Sequence, residues 1–113
     1  MTISELKAFG ANTDEGLGRC LNNEDFYFRM IKMALADAGF EKLKTAIEQN
    51  DLDAGFDAAH ALKGVLGNLS LTPLYKPVSE MTELLRSKED ADYSAYVKEI
   101  VDQREALRKI CEA

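Results

Sequence analysis

His60, the one histidine of the sequence, is the side chain best suited to chemistry near neutral pH. Lys63, Gly64 and Gly67 follow it at spacings that place all four residues on one side of a helix. A lysine ammonium one turn from the imidazole can pair with the oxygens of a phosphoryl group. A glycine inside a helix costs about 1 kcal/mol relative to alanine, so two beside the histidine indicate space kept open for a partner protein. A nucleophile, a cation and open space together predict phosphoryl transfer.

The apolar residues around His60 predict the helix that carries it, from Asp51 or Asp53 to about Leu69. They recur with the period of an α-helix and form one stripe, centred on Ala59: Leu52, Phe56, Ala59, Leu62, Leu66 and Leu69. Successive helical residues are rotated by about 100°, so His60 lies beside this stripe and not within it. We therefore expect the imidazole to be exposed to solvent.

Metal-binding and hydrolytic sites fit the sequence less well. Residues 51–55 superficially resemble the start of a calcium-binding loop, but Phe56 and Leu62 stand where that loop needs glycine and glutamate. A zinc or di-iron site normally uses histidines or Glu-x-x-His pairs, and this sequence has a single histidine. A hydrolase needs a second convergent group, whereas the nearby Asp53 and Asp57 are explained as solvated residues.

The rest of the chain repeats the helical period, and no stretch alternates as a strand would. Thr2 and Gly10 suit the two ends of a short first helix, and Thr13 suits the start of a second one that holds Leu17 and Leu21. Asn22 and Asn23 interrupt this helix and cap the next. Longer helices are predicted over 24–37, 40–50, from Thr72-Pro73 onwards and over 89–110. Pro77 predicts a kink or an irregular first turn in the helix that contains it.

These elements predict an all-α fold, an antiparallel four-helix bundle with additional short N-terminal helices. The 113 residues suit a single domain, in which the bundle occupies about 23–110 and residues 1–22 pack on it. The hydrophobic fraction of 46% is enough for one modest core. Cys20 and Cys111 are far apart and are interpreted as small helix residues in a reducing compartment.

Charge and hydropathy exclude several classes of partner. A net charge of −6 argues against binding to nucleic acid or to an anionic membrane surface. No apolar run reaches the roughly 18–20 residues that a membrane span needs. Residues 1–10 also lack the basic-then-apolar pattern of a secretory signal. We expect a cytoplasmic protein with neither a nucleic-acid nor a membrane partner.

The predicted helix over 24–37 is apolar on more than one face. Phe28 and Leu35 lie about 90–110° from the centre of its buried stripe on one flank, and Phe26 and Met33 lie on the other. One flank should pack on neighbouring helices, and an exposed apolar flank marks a partner site. We expect the flank that borders His60 to dock the partner, and we name Phe28 and Leu35 as candidate docking residues with Gly64 and Gly67.

The run Ala59-His60-Ala61-Leu62-Lys63-Gly64-Val65-Leu66-Gly67-Asn68-Leu69 resembles the signature of histidine-phosphotransfer (HPt) domains, in which H-x-L-K-G precedes a further glycine. Residues 71–75, Leu-Thr-Pro-Leu-Tyr, are similar to the continuation found in bacterial members. Residues 15–19 and 25–27 resemble the first half of these domains, so the resemblance covers about 13–90. Two positions depart from the pattern: Ser70 stands where a glycine is common, and Pro77 falls at the start of the next helix.

The resemblance implies that His60 is the phosphoacceptor, that Lys63 helps to hold the phosphoryl group and that Gly64 gives clearance. It implies a phosphoryl carrier of a two-component phosphorelay, with no kinase or phosphatase machinery and no cofactor of its own. The partners would be receiver domains of response regulators or hybrid histidine kinases, which supply the aspartate and Mg²⁺, and the carrier would be a monomer. A non-catalytic helical interaction module is the alternative. The cognate kinase and receiver and the direction of transfer stay open, as does whether the chain is a free-standing protein or a module of a hybrid kinase.

Overall fold

The computed structural model describes residues 1–112, which form seven α-helices and no strand. The helices are α1 (Ile3–Phe9), α2 (Thr13–Arg19), α3 (Glu24–Leu35), α4 (Gly39–Glu48), α5 (Leu52–Asn68), α6 (Thr72–Arg86) and α7 (Tyr93–Glu112). The all-α class predicted from the helical period is confirmed.

Helices α4, α5, α6 and α7 form the bundle. Helix α5 packs between α4 and α6, and α7 closes the ring by contacting both α6 and α4. The short connections make successive helices antiparallel. Helix α1 packs on α7 and α2, and α3 contacts α2 and α7. The largest fully buried side chains come from six of the seven helices and from one loop: Leu6, Tyr27, Ile31, Leu43, Leu62, Leu66, Leu71, Leu74, Val78, Met81, Leu85 and Leu107.

The side-chain caps predicted for the starts of α1 and α3 are confirmed. Thr2 accepts a hydrogen bond from the Glu5 N–H at the start of α1, and Gly10 ends that helix in the left-handed conformation, as predicted. Asn23 caps α3 in the same way, through the Phe26 N–H.

The second helix differs from its prediction at both ends. Asn12 caps it by accepting a hydrogen bond from the Glu15 N–H, while Thr13 is its first residue and is buried. The helix ends at Arg19, so Leu21 does not pair with Leu17 along it. Instead Leu21 lies in a turn with a φ of 59° and is 86% exposed.

In two of the longer helices, an aspartate side chain lies at an end that differs from its prediction. Helix α3 ends at Leu35 and not at Asp37, because the Asp37 carboxylate accepts a hydrogen bond from the Gly39 N–H and helps to begin α4. Helix α7 begins at Tyr93 and not at Glu89. Its start is set by Asp92, whose carboxylate accepts a hydrogen bond from the Ala95 N–H.

Helix α6 begins with Thr72 and Pro73 in its first turn, but the Thr72 side chain does not act as the cap, a position that Leu71 occupies. The helix continues without a break through Pro77, which is buried. The proline removes one backbone donor, and the rest of the helix is held by its packed apolar face. No helix in the described part of the chain has the length and apolar character needed to cross a membrane.

Candidate functional site

Helix α5 carries the candidate site and is fixed at both ends. At its start the Asp51 carboxylate accepts a hydrogen bond from the Ala54 N–H at 3.1 Å. At its end the N–H groups of Ser70 and Leu71 donate to the carbonyls of Gly67 and Leu66, the paired bonds of a Schellman motif. Ser70 takes the left-handed position of that motif, with a φ of 55°. This conformation explains why glycine suits the position better.

The Tyr27 hydroxyl also holds the end of α5 by donating a hydrogen bond of 2.8 Å to the Leu69 carbonyl. Tyr27 is fully buried, and burial, with a smaller contribution from Cys20, raises the pKa of its hydroxyl to about 12. A Cβ on Gly16 of α2 would lie 2.5 Å from that hydroxyl oxygen, so glycine is needed there for the ring to fit. The contact joins α2 and α3 to the end of the helix that carries His60.

The His60 side chain lies on the exposed face of α5, as its angle from the apolar stripe predicts. Its imidazole stacks on the ring of Phe56, with 5.5 Å between the ring centroids and 21° between the planes. Phe56 is half-buried beneath it, one turn earlier on the same helix. The ring is therefore supported on one side while the rest of it is open to an approaching group.

Lys63 lies one turn after His60, and its ammonium is placed 3.7 Å from a carboxylate oxygen of Glu83 on α6. The other oxygen of Glu83 is 3.3 Å from Nε of Arg86. The Arg86 guanidinium in turn lies over the Phe56 ring, 5.0 Å from its centroid. Glu83 and Arg86 thus border the candidate site, although nothing in the sequence around His60 indicated them.

The two glycines of the face have different surroundings. A Cβ on Gly64 would have no neighbouring atom within 4 Å, so the space beside it is open. A Cβ on Gly67 would lie 3.1 Å from Cε2 of Tyr75 on α6. Packing within the bundle therefore accounts for Gly67, contrary to the expectation that the space beside it is kept open for a partner protein. Of these two glycines, only Gly64 has open space beside it.

His60, Lys63, Gly64 and Gly67 line one wall of a cleft, and α2 forms part of the opposite wall. Arg19 of α2 donates hydrogen bonds to the Gly67 carbonyl and to the Ser70 hydroxyl, and pairs with Glu15 at 2.8 Å. The other residues that line the cleft are Asn12, Asn68, Thr72 and Tyr75. The sequence spacing could not predict the role of Arg19, because it depends on which helix lies beside the end of α5.

A comparison with models of protein families identifies the family of this chain. The family model described as the Hpt domain matches residues 33–110, well over half of the chain. The chain belongs to the Hpt domain family. Hpt domains are histidine-phosphotransfer domains of phosphorelays, which carry phosphoryl groups and interact with receiver domains. The search of curated proteins and the search of solved structures each found no match.

The burial of α3 differs between the two apolar flanks that the sequence indicated. Phe28 and Leu35 are partly buried and pack against the core, and the Leu35 carbonyl accepts hydrogen bonds from Arg104 of α7. The opposite flank of α3 is the more exposed one, with Met33 60% and Phe26 37% exposed. Phe28 and Leu35 are therefore less exposed than Met33, and their docking role stays a prediction.

Met33 borders the helix that carries His60. Together with Met30 it lines a groove whose other wall is formed by Val65 and Asn68 of α5 and by Leu69, which follows that helix. Asn68 also lines the cleft of His60, so the groove and the cleft adjoin. The exposed apolar flank of α3 thus faces a groove that adjoins the cleft of His60. Within residues 1–112, no group of three or more His, Cys, Asp and Glu side chains is placed to hold a metal ion.

Proposed function

We propose that this Hpt domain is a phosphoryl carrier of a two-component phosphorelay, in which His60 accepts a phosphoryl group from a receiver aspartate and passes it to another receiver. The observation that carries the proposal is the exposed imidazole of His60, supported by Phe56 and flanked by Lys63 and the open face at Gly64. Family membership supplies the class of reaction, and this geometry supports His60 as the residue that performs it.

The transfer needs little from the chain beyond a nucleophile and a positive charge. A lone pair of the neutral imidazole forms a bond to phosphorus, the bond from phosphorus to the aspartate oxygen breaks, and the carboxylate leaves with the electron pair. The ring proton goes to solvent. Nε2 is the suitable atom because it lies at the outer end of the ring, away from the backbone. Passing the group on to a second receiver is the same step in reverse.

Lys63 is proposed to stabilise the transferred group. Its ammonium can pair with the phosphoryl oxygens as a compact positive charge, both during transfer and on the phosphorylated ring. The remaining requirements, an acceptor carboxylate and a Mg²⁺ ion, are proposed to come from the receiver. The carrier itself would need no cofactor and would have no kinase or phosphatase activity.

The partners are proposed to be receiver domains of response regulators or of hybrid histidine kinases, one at a time on a monomeric carrier. The groove between α3 and α5 is the proposed apolar docking surface, and Gly64 gives the receiver access to the ring. This function requires the carrier to share a compartment with its receivers, which we take to be the cytoplasm.

Labelled phosphate followed from a phosphorylated receiver to the purified domain tests the proposal. We expect an adduct that is labile to acid and stable to alkali, as a phosphorus–nitrogen bond to imidazole is. This adduct should be absent in His60→Gln. Lys63→Ala should fold normally and accept phosphate about tenfold more slowly, because a charge-assisted contact to the phosphoryl group is lost.

Two results would contradict the proposal. Label that persists in His60→Gln would place the acceptor elsewhere. The second result is a domain that binds its receiver but takes no label, and whose His60→Gln variant keeps the cellular function. That result would identify the chain as a non-catalytic interaction module.

A further inference from the structure

The ammonium that is proposed to stabilise the phosphoryl group already has a partner. Lys63 Nζ lies 3.7 Å from Oε1 of Glu83, across the contact between α5 and α6. The Lys63 side chain is 28% exposed and that of Glu83 is 57% exposed, so this is an ion pair at the surface. Such pairs are weak enough for one member to exchange its partner readily. Glu83 therefore competes with any anion that approaches His60 for the charge of Lys63.

Glu83 has a second partner that does not depend on Lys63. Its Oε2 lies 3.3 Å from Nε of Arg86, one turn later on α6. Arg86 is itself held over the Phe56 ring, which stacks on His60. The Glu83 carboxylate thus stays paired if Lys63 leaves it. If Lys63 exchanged Glu83 for another anion, neither Lys63 nor Glu83 would be left without a partner of opposite charge.

We propose that Glu83 is a positioning residue for phosphoryl transfer, which holds Lys63 beside α6 while His60 is free and releases it to the phosphoryl group. The proposal rests on the proposed function for the identity of the group that arrives at His60. A phosphoryl group carries up to about two negative charges, against one on a carboxylate, so it is the stronger partner for an ammonium. Glu83 lowers the affinity of the free site for anions and gives up Lys63 when the ring is loaded.

A small anionic phosphodonor, phosphoramidate, isolates this effect because it phosphorylates imidazole without a partner protein. The imidazole nitrogen forms a bond to phosphorus, the bond from phosphorus to the donor nitrogen breaks, ammonia leaves and the ring proton goes to solvent. The rate of phosphohistidine formation can be followed by phosphorus NMR. His60 is the only histidine in the sequence, so the signal reports one site.

Glu83→Gln should be loaded about two- to fivefold faster than the wild type at low salt, the range that the energy of an exposed ion pair allows. The amide keeps the size of the side chain and removes its charge, which frees Lys63 for the donor. The gain should shrink at high salt, where exposed charges are screened. Glu80→Gln is the matched control: it makes the same change on the same helix, at a carboxylate that accepts a hydrogen bond from Tyr96 of α7. It should leave the rate within experimental error of the wild type.

The same measurement with Lys63→Met separates an effect through Lys63 from a general effect of charge. We expect Glu83→Gln to give no acceleration in the Lys63→Met background. An equal acceleration in both backgrounds would overturn the inference, since Glu83 would then act on the donor directly. A Glu83→Gln rate equal to the wild type, or a wild type that phosphoramidate does not load, would overturn it as well.

Failure of this inference and failure of the proposed function give different results. If the Lys63-dependent gain is found but no phosphorylated receiver transfers its phosphate, the inference stands and the relay function fails. If receivers load His60 normally and Glu83→Gln changes nothing with phosphoramidate, the relay function stands and Glu83 has no positioning role.

Discussion

The proposed role of His60 as a phosphoryl carrier makes two opposing demands, since its ring has to be reachable and its orientation has to be limited. Exposure on α5 supplies the first, and the stack on Phe56 at 5.5 Å supplies the second. Arg86 rests on the same Phe56 ring, so α6 helps to keep that support in place. At the scale of single residues, the site is an open imidazole on a fixed aromatic base.

Gly64 allows stability and phosphotransfer to be separated experimentally. A Cβ at this position would have no neighbour within 4 Å, so Gly64→Ala should fold and gain about 0.5–1 kcal/mol in the free energy of unfolding. The added methyl group would occupy the space through which the receiver is proposed to approach His60. We therefore expect transfer from a receiver to slow severalfold, measured beside denaturant unfolding.

Gly18→Ala is the matched control for this prediction. Gly18 is also helical and also has open space around it, on α2. This variant should be stabilised in a similar way and should keep the wild-type transfer rate. A Gly64→Ala protein that transfers as fast as Gly18→Ala would show that openness at Gly64 has no role in docking.

At the scale of elements, residues of α3 and α5 line a groove that adjoins the cleft of His60. The helical period located both apolar flanks of α3 but could not show which of them is the more exposed. Phe28 and Leu35 of one flank pack against the core, whereas Met33 of the other flank lines the groove. An exposed methionine beside a functional cleft is suited to an adaptable protein contact.

Met33→Asp tests this surface. Because Met33 is 60% exposed, the variant should fold with little loss of stability and should bind a receiver about tenfold more weakly, as expected when a charge replaces an apolar contact. Titration of a labelled receiver would measure the dissociation constant. Val101→Asp on α7, 48% exposed, is the control and should bind as the wild type does. Equal affinities for the two variants would remove the α3–α5 groove from the interface.

At the scale of the whole molecule, Tyr27 connects the N-terminal helices to the end of α5. Its buried hydroxyl donates to the Leu69 carbonyl, and burial raises its pKa to about 12. In the unfolded chain the hydroxyl loses its proton near pH 10. Between about pH 10 and pH 12 the unfolded state therefore binds fewer protons than the folded state, and the free energy of unfolding falls as the pH rises.

Tyr27→Phe should remove this contribution to the alkaline transition. At neutral pH it should cost about 1–2 kcal/mol, because the Leu69 carbonyl loses its side-chain donor inside the protein. From pH 10 to pH 12 the wild type should lose about 2 kcal/mol more than the variant does. Denaturant unfolding at a series of pH values measures both. Parallel losses in the two proteins would contradict the assignment to Tyr27.

The sequence by itself determined the all-α class, the helix that carries His60 and the exposure of that histidine. These features follow from the rotation of about 100° per residue, a property of one helix that needs no knowledge of its neighbours. The shared face of Lys63 and Gly64 followed from the same rule. The start of α2 was predicted less well, because Asn12 caps this helix and Thr13, which was predicted to start it as the cap, is its first residue.

The tertiary structure alone decided which groups from other helices meet the His60 face. Glu83 reaches Lys63, Arg19 reaches the end of α5, and Tyr75 fills the space beside Gly67. None of these contacts has a fixed spacing in sequence, because each depends on which helices of the bundle are adjacent and on how they are rotated. The candidate phosphoacceptor His60 was thus visible in one helix, while its electrostatic surroundings were set by the packing of several.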